Sequence, residues 1–104
     1  MPAQEIAGTT VELTEDGYLT DHNQWNREVA EAIASEEGIP LTDEHWKVLD
    51  FIIADYKEKG TVPGMRRIKK VGGIPTKELY ELFPEGPIKK ASRIAGLPKP
   101  ASCV

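Results

Sequence analysis

The chain has 104 residues, which is the length of a single domain. It carries 13 lysines and arginines against 17 aspartates and glutamates, and this net charge of −4 argues against a general nucleic-acid binder, which needs a basic face. A single cysteine excludes a disulfide framework within the chain, and one cysteine with two distant histidines argues against structural zinc. We therefore expect a cytoplasmic protein without metal, cofactor, signal peptide or membrane-spanning segment.

The first elements predicted along the chain are a short hairpin and a helix. The hairpin covers residues 4–13, and a turn follows at residues 15–17. A helix is predicted over residues 23–36, because its apolar residues recur on one face and Asp21 or Asn23 can cap it.

The clearest helix of the chain follows Thr42 and ends at Gly60. Its apolar residues form a stripe at helical spacing, and two acidic residues in its first turn suit the helix dipole. His45 lies at the start of this helix beside Trp46, so we expect it to pack or cap rather than to act in catalysis.

Three shorter helices are predicted in the second half of the chain. Prolines, glycines and a threonine cap place them at residues 63–71, 76–83 and 87–95. The expected fold class is therefore mainly α, with about five helices, a small N-terminal β-hairpin, a helix-turn-helix-like segment over residues 63–83 and an extended, mobile C-terminal arm.

The C-terminal segment is the most informative part of the sequence. Pro98 and Pro100 prevent further helix, and Cys103 follows as the penultimate residue. We predict one domain over residues 1–96 and a flexible arm over residues 97–104. Six peptide steps of about 3.1 Å separate the first arm residue from the cysteine, which gives roughly 19 Å of reach. A thiol mounted in this way is placed to react with another protein.

The run Arg66-Arg67-Ile68-Lys69-Lys70 is the most basic stretch of the chain. It is either a solvated helix face or a docking surface for an anionic group. DNA binding by residues 63–83 is a further hypothesis. Glu78 and Glu81 argue against it, because phosphate would repel them in the second of the two helices.

Motifs that carry a family resemblance are spread over nearly the whole chain. They are Asp16-Gly17-Tyr18-Leu19, Trp25, residues 41–46, Pro63 with Arg66 and Lys70, residues 79–87, and residues 93–100 followed by Cys103-Val104. In these motifs the sequence resembles the DsrC/TusE/RspA family, which are small proteins of sulfur trafficking. The most specific motif is the penultimate cysteine after a Pro-Lys-Pro tail, which is the hallmark of that family.

This resemblance implies a helical fold with a small hairpin and a mobile arm, and a sulfur carrier as the function. Cys103 would accept a persulfide sulfur and pass it on by thiol exchange, as a sulfurtransferase-type carrier rather than a stand-alone turnover catalyst. The implied partners are a TusBCD- or DsrEFH-like donor and an acceptor enzyme, or dissimilatory sulfite reductase. The candidate docking residues for the arm or a partner are Arg66, Lys70, Pro98, Lys99 and Pro100.

Ser92 is a departure from the family pattern. DsrC proteins carry a second cysteine at this position, eleven residues before the last one, so their two-cysteine redox cycle is not open to this chain. A single cysteine resembles a TusE-like relay toward 2-thiouridine in tRNA, whereas the short segment 71–77 resembles the sulfate-reducer type. A TusE-like carrier, a DsrC-like partner of sulfite reductase and an engineered Cys→Ser variant all remain open.

Overall fold

The computed structural model describes residues 3–100, and their elements follow the predicted order. Two antiparallel strands form the N-terminal hairpin, and five α-helices follow it, so the predicted mainly α fold class is confirmed. The elements are β1 (Ala3–Ile6), β2 (Thr9–Glu12), α1 (Arg27–Glu36), α2 (Asp43–Lys59), α3 (Met65–Lys70), α4 (Thr76–Leu82) and α5 (Pro87–Ile94).

The hairpin closes through Ala7 and Gly8, whose φ angles of 51° and 79° match a tight two-residue turn between antiparallel strands. Val11 on β2 is fully buried, which holds the hairpin on the helical body. A single bridge between Leu13 and Leu19 then closes the loop that contains residues 14–18.

The predicted start of α1 is wrong by four residues. Asp21 caps a separate 3-10 turn over His22–Gln24, and the chain is then extended at Trp25. Asn26 is the cap of α1, because its side chain accepts a hydrogen bond from the backbone N–H of Val29 at 2.8 Å. The extended backbone at Trp25 interrupts a pattern that the sequence alone read as one continuous helix.

α2 begins after Thr42 and ends at Gly60, as predicted. His45 is buried, and its Nδ1 accepts a hydrogen bond from the backbone N–H of Thr42 at 3.2 Å. Nε2 therefore carries the proton and donates it to the carbonyl of Leu82 at 2.8 Å. The expectation that His45 packs and caps is confirmed, and the side chain also ties α2 to the end of α4.

The short helices differ from their predicted limits by only a few residues. Thr76 is the first residue of α4 rather than its cap, a position that Pro75 takes. The core draws fully buried side chains from all five helices; the largest include Ile33, Leu49, Ile52, Ile68, Leu79 and Ile88. Within residues 3–100, no helix has both the length and the apolar character needed to cross a membrane.

Candidate functional site

Cys103 lies outside the described residues, and Pro100 is the last residue of the chain that the structure describes. The candidate site is therefore built from the segment that leads toward the cysteine. Residues 95–100 are called the arm root below. They follow α5 directly, and contacts from both halves of the chain surround them.

The arm root leaves α5 through Gly96, whose φ of 71° is left-handed. The backbone N–H of Leu97 then bonds the carbonyl of Ser92 at 2.9 Å, which closes the end of the helix. The side chain of Leu97 is fully buried. Burying a leucine contributes about 1.5–3 kcal/mol, so this residue is a firm attachment to the body.

Trp25 and His22 bind the carbonyls at the end of α5. The indole Nε1 of Trp25 donates to the carbonyl of Ile94 at 2.8 Å, and Nδ1 of His22 lies 3.1 Å from the carbonyl of Gly96. Because a carbonyl only accepts, Nδ1 of His22 is the donor. A Cβ at position 96 would overlap Trp25, so the two residues are in direct contact.

A second set of ties joins the arm root to the turn at residues 14–18. Lys99 Nζ lies 3.2 Å from a carboxylate oxygen of Asp16, and both side chains are 58% exposed. An exposed pair of this kind contributes at most about 1 kcal/mol, so it orients Lys99 more than it holds the segment. Arg93 reinforces the turn, because its Nε donates to the carbonyl of Gly17 at 3.2 Å.

Burial and nearby charges at this turn also shift the pKa of Tyr18. Burial raises the pKa of the Tyr18 phenol above its ordinary value, and the positive charge of Lys99 offsets this only in part. The guanidinium of Arg93 also forms an ion pair with Glu37 and a second one, at 3.7 Å, with Glu36. The turn, the end of α1 and the end of α5 are thus joined through one arginine.

The two prolines of the arm root lie beside the end of α2. Pro98, Lys99 and Pro100 line one side of a groove of about 180 Å³, and Tyr56 with residues 60–62 line the other. Pro100 is buried, whereas Pro98 and Lys99 are exposed. These three predicted docking residues therefore all line one groove, at the point where the described chain ends.

Ser92 is separated from solvent. Its side chain is fully buried on α5, and its Oγ has no hydrogen-bond partner among residues 3–100. A buried hydroxyl without a partner is unfavourable, so this position suits a less polar group of similar size. The structure therefore places Ser92 in the core rather than at the groove.

The other predicted docking residues, Arg66 and Lys70, lie on α3 with Lys69, and all three side chains are exposed. These three residues are called the basic face below. Arg67 is not part of it, because it pairs with buried Asp55 through bonds of 2.6–2.9 Å. This hydrogen bonding lowers the pKa of the Asp55 carboxyl. Within residues 3–100, no hydrogen bond or ion pair joins the basic face to the arm root.

Sequence reasoning missed Asp16, His22 and Trp25 as contributors to the site. The hydrogen bonds of Asp16, His22 and Trp25 to the end of α5 and the arm root join residues 69–83 positions apart. Local sequence patterns cannot predict contacts at that separation. Asp16, Trp25 and Arg93 belong to motifs that carry the family resemblance, but the motifs assign them no contact with the arm root. That was the one signal that marked them.

Comparison with known proteins gives one consistent result. The family described as DsrC like protein matches residues 5–104. A relative from Haemophilus influenzae, named sulfurtransferase TusE homolog, is 45% identical over 95% of this chain and 97% of its own length. A structure titled dissimilatory sulfite reductase I (DsrI) superposes with a TM-score of 0.87 at 41% identity, covering 99% of this chain and all of the other. The oxidized gamma-subunit of the dissimilatory sulfite reductase (DsrC) from Archaeoglobus fulgidus gives 0.80 at 40% identity, with 99% and 100% covered.

Proposed function

Because the chain belongs to the DsrC-like protein family, we propose that it is the sulfur carrier of a sulfur relay and that Cys103 holds the sulfur in transit. The observation that carries this proposal is the 45% identity, over nearly the full length, to a protein named sulfurtransferase TusE homolog. The position of the only cysteine, next to the C-terminal residue, agrees with it. A reducing compartment such as the cytoplasm suits a carrier that must keep its thiol free.

The transfer is a thiol exchange without net oxidation. The Cys103 thiolate attacks the outer sulfur of a donor persulfide and forms a new S–S bond. The S–S bond of the donor breaks, and the donor leaves as a thiolate. Cys103 then carries a persulfide, which the thiolate of an acceptor attacks in the same way, so the carrier returns to its starting state.

The docking residues are proposed in two groups. Pro98, Lys99 and Pro100 set the direction in which the cysteine leaves the body, as their contacts with the groove support. Arg66 and Lys70 bind an acidic surface of the relay partner, since both are exposed and neither forms an ion pair within residues 3–100. Opposite charge across such a surface raises the rate of association.

A role as partner of dissimilatory sulfite reductase is the second candidate, because two similar structures carry that enzyme in their titles. Serine in place of the second cysteine argues against the two-thiol form of this role. Delivery of sulfur toward 2-thiouridine in tRNA is the proposed destination for the carrier. Binding assays with a TusBCD-type complex and with sulfite reductase separate the two candidates, since the carrier should bind the first.

The test of the carrier is sulfur uptake from a cysteine desulfurase supplied with L-cysteine. Intact mass should rise by one sulfur atom per chain, and Cys103→Ser should abolish the rise. Ser102→Ala is the matched control, because it changes the neighbouring residue and keeps the thiol. Equal uptake by Cys103→Ser would overturn the proposal.

A further inference from the structure

We propose that the sulfur-carrying arm begins after Pro100 rather than after Gly96, and that Asp16 is a positioning residue that orients Lys99 within the arm root. Only the expected effect on the rate of sulfur uptake rests on the proposed carrier function. The structural part depends only on contacts of residues 92–100 and of the turn at residues 14–18.

The first support is burial at both ends of the arm root. Leu97 is fully buried and its N–H is bonded to Ser92, while Pro100 is buried against the groove beside Tyr56. A segment held at Leu97 and again at Pro100 behaves as part of the body. Pro98 and Lys99 are exposed, but the buried residues on both sides of them restrict their backbone.

The second support is the ring of side chains that fixes the direction of this segment. His22 and Trp25 hold the carbonyls of Gly96 and Ile94, and Asp16 holds the amine of Lys99. Asp16 is itself positioned, because the turn hydrogen-bonds within itself and Arg93 bonds the carbonyl of Gly17. The family motif at residues 16–19 thus acquires a role: it supports the arm root.

The consequence is a short reach. Three peptide steps separate Pro100 from Cys103, and at about 3.1 Å each they span roughly 9 Å, about half of the 19 Å expected for an arm that starts at Leu97. A partner must therefore bring its reactive sulfur close to the groove between the arm root and the end of α2.

The structural part is tested by backbone NMR relaxation on the nitrogen-15-labelled protein. Order parameters near 0.85 are expected at Leu97 and Lys99, as in the helices. Values below 0.6 already at Leu97 and Lys99 would overturn the proposal. This measurement requires no sulfur transfer, so it decides the start of the arm even if the carrier function fails.

The reach is tested by changing the length after Pro100. Deleting residues 101–102 should lower the single-turnover rate constant of sulfur uptake more than tenfold, since only one peptide step then separates Pro100 from the cysteine. Inserting a second Ala-Ser at the same point should cost less than twofold. An arm that started at Leu97 would keep four steps after the deletion, so a loss below twofold would contradict the short arm.

The role of Asp16 is tested with three variants. Asp16→Asn should lower the order parameter at Lys99 and reduce the single-turnover constant by about two- to fivefold, with an unchanged half-saturation concentration of donor. Asp16→Glu should restore both values. Glu15→Gln removes the neighbouring exposed carboxylate and should match the wild type. Wild-type behaviour of Asp16→Asn in both measurements would remove Asp16 from the proposal.

Discussion

The arm root and the basic face are both small surface segments, yet they are built in opposite ways. The arm root is held by hydrogen bonds and an ion pair to residues far away in the sequence, and by a fully buried leucine. The side chains of the basic face are exposed, and so is Val71, the next residue in the sequence. Val71 is 60% exposed and Tyr80 is 42% exposed, and these are the exposed large hydrophobic residues in the described chain.

This difference separates two tasks that a carrier must perform. The tail must leave the body at a defined place, and tertiary contacts achieve that at the cost of freedom in the segment. A partner must be recognised, and an exposed basic surface can serve that purpose. Substitutions should therefore change stability at the arm root and association at the basic face.

The largest expected effect is at Leu97. Leu97→Ala should lower the free energy of unfolding by about 2–5 kcal/mol, because it leaves a cavity at a fully buried position. Pro98→Ala, at the exposed neighbour, is the control and should change little. Urea denaturation measures both. A loss below 0.5 kcal/mol for Leu97→Ala, within the range of surface changes, would mean that the arm root is not anchored.

Two glycines with nearly the same φ angle give the next comparison. Gly96 and Gly73 have φ angles of 71° and 68°, so alanine is strained at both. Only at Gly96 would the added Cβ meet Trp25, since nothing lies within 4 Å at Gly73. Gly96→Ala should therefore destabilise the protein by about 1–3 kcal/mol more than Gly73→Ala, as measured by thermal unfolding. Equal losses would show that the contact with Trp25 does not matter.

Ser92→Ala should stabilise the protein by about 1 kcal/mol, because it removes a buried hydroxyl that has no partner among residues 3–100. Ser35→Ala controls for the higher helix propensity of alanine, since Ser35 is an exposed residue of α1. The difference between the two variants in urea isolates the effect of burial. A net loss at Ser92 would indicate a partner beyond the described residues.

Acid should destabilise the protein in part through Asp55. Its pKa in the folded state is lowered by the hydrogen bond from Arg67, so its contribution is present above the unfolded value of 3.8 and is lost as pH falls below it. Asp55→Asn should therefore unfold more easily at neutral pH and depend less on pH in the acid range. The effect should be smaller than that at Leu97, because Arg67 is partly exposed. An unchanged acid dependence would contradict this role.

The smallest effect on stability is expected at the basic face. Arg66→Gln combined with Lys70→Gln should leave the free energy of unfolding within 0.5 kcal/mol, since both side chains are exposed. The same variant should bind an acidic relay partner more weakly and with less salt dependence. Lys47→Gln combined with Lys57→Gln removes two exposed charges from α2 and is the matched control. Equal weakening by both pairs would show net charge, not the basic face, to be the cause.

Local signals in the sequence were sufficient for most of the fold. Thr42 and Gly60 predicted both ends of α2, and the packing and capping role of His45 followed from its position in the first turn of that helix. The start of α1 was the main error. The apolar periodicity continued through Trp25, but that side chain turns to a carbonyl on α5, a partner 69 residues away.

What the sequence determined by itself was the set of helices, the single thiol at the penultimate position and the family to which the motifs belong. Only the tertiary structure decided that Leu97 and Pro100 pack against the body, that Lys99 meets Asp16, and that Ser92 is sealed inside. Capping and periodicity act over a few residues and can be read along the chain. Packing joins residues that the sequence holds far apart, so it appears only when the helices come together.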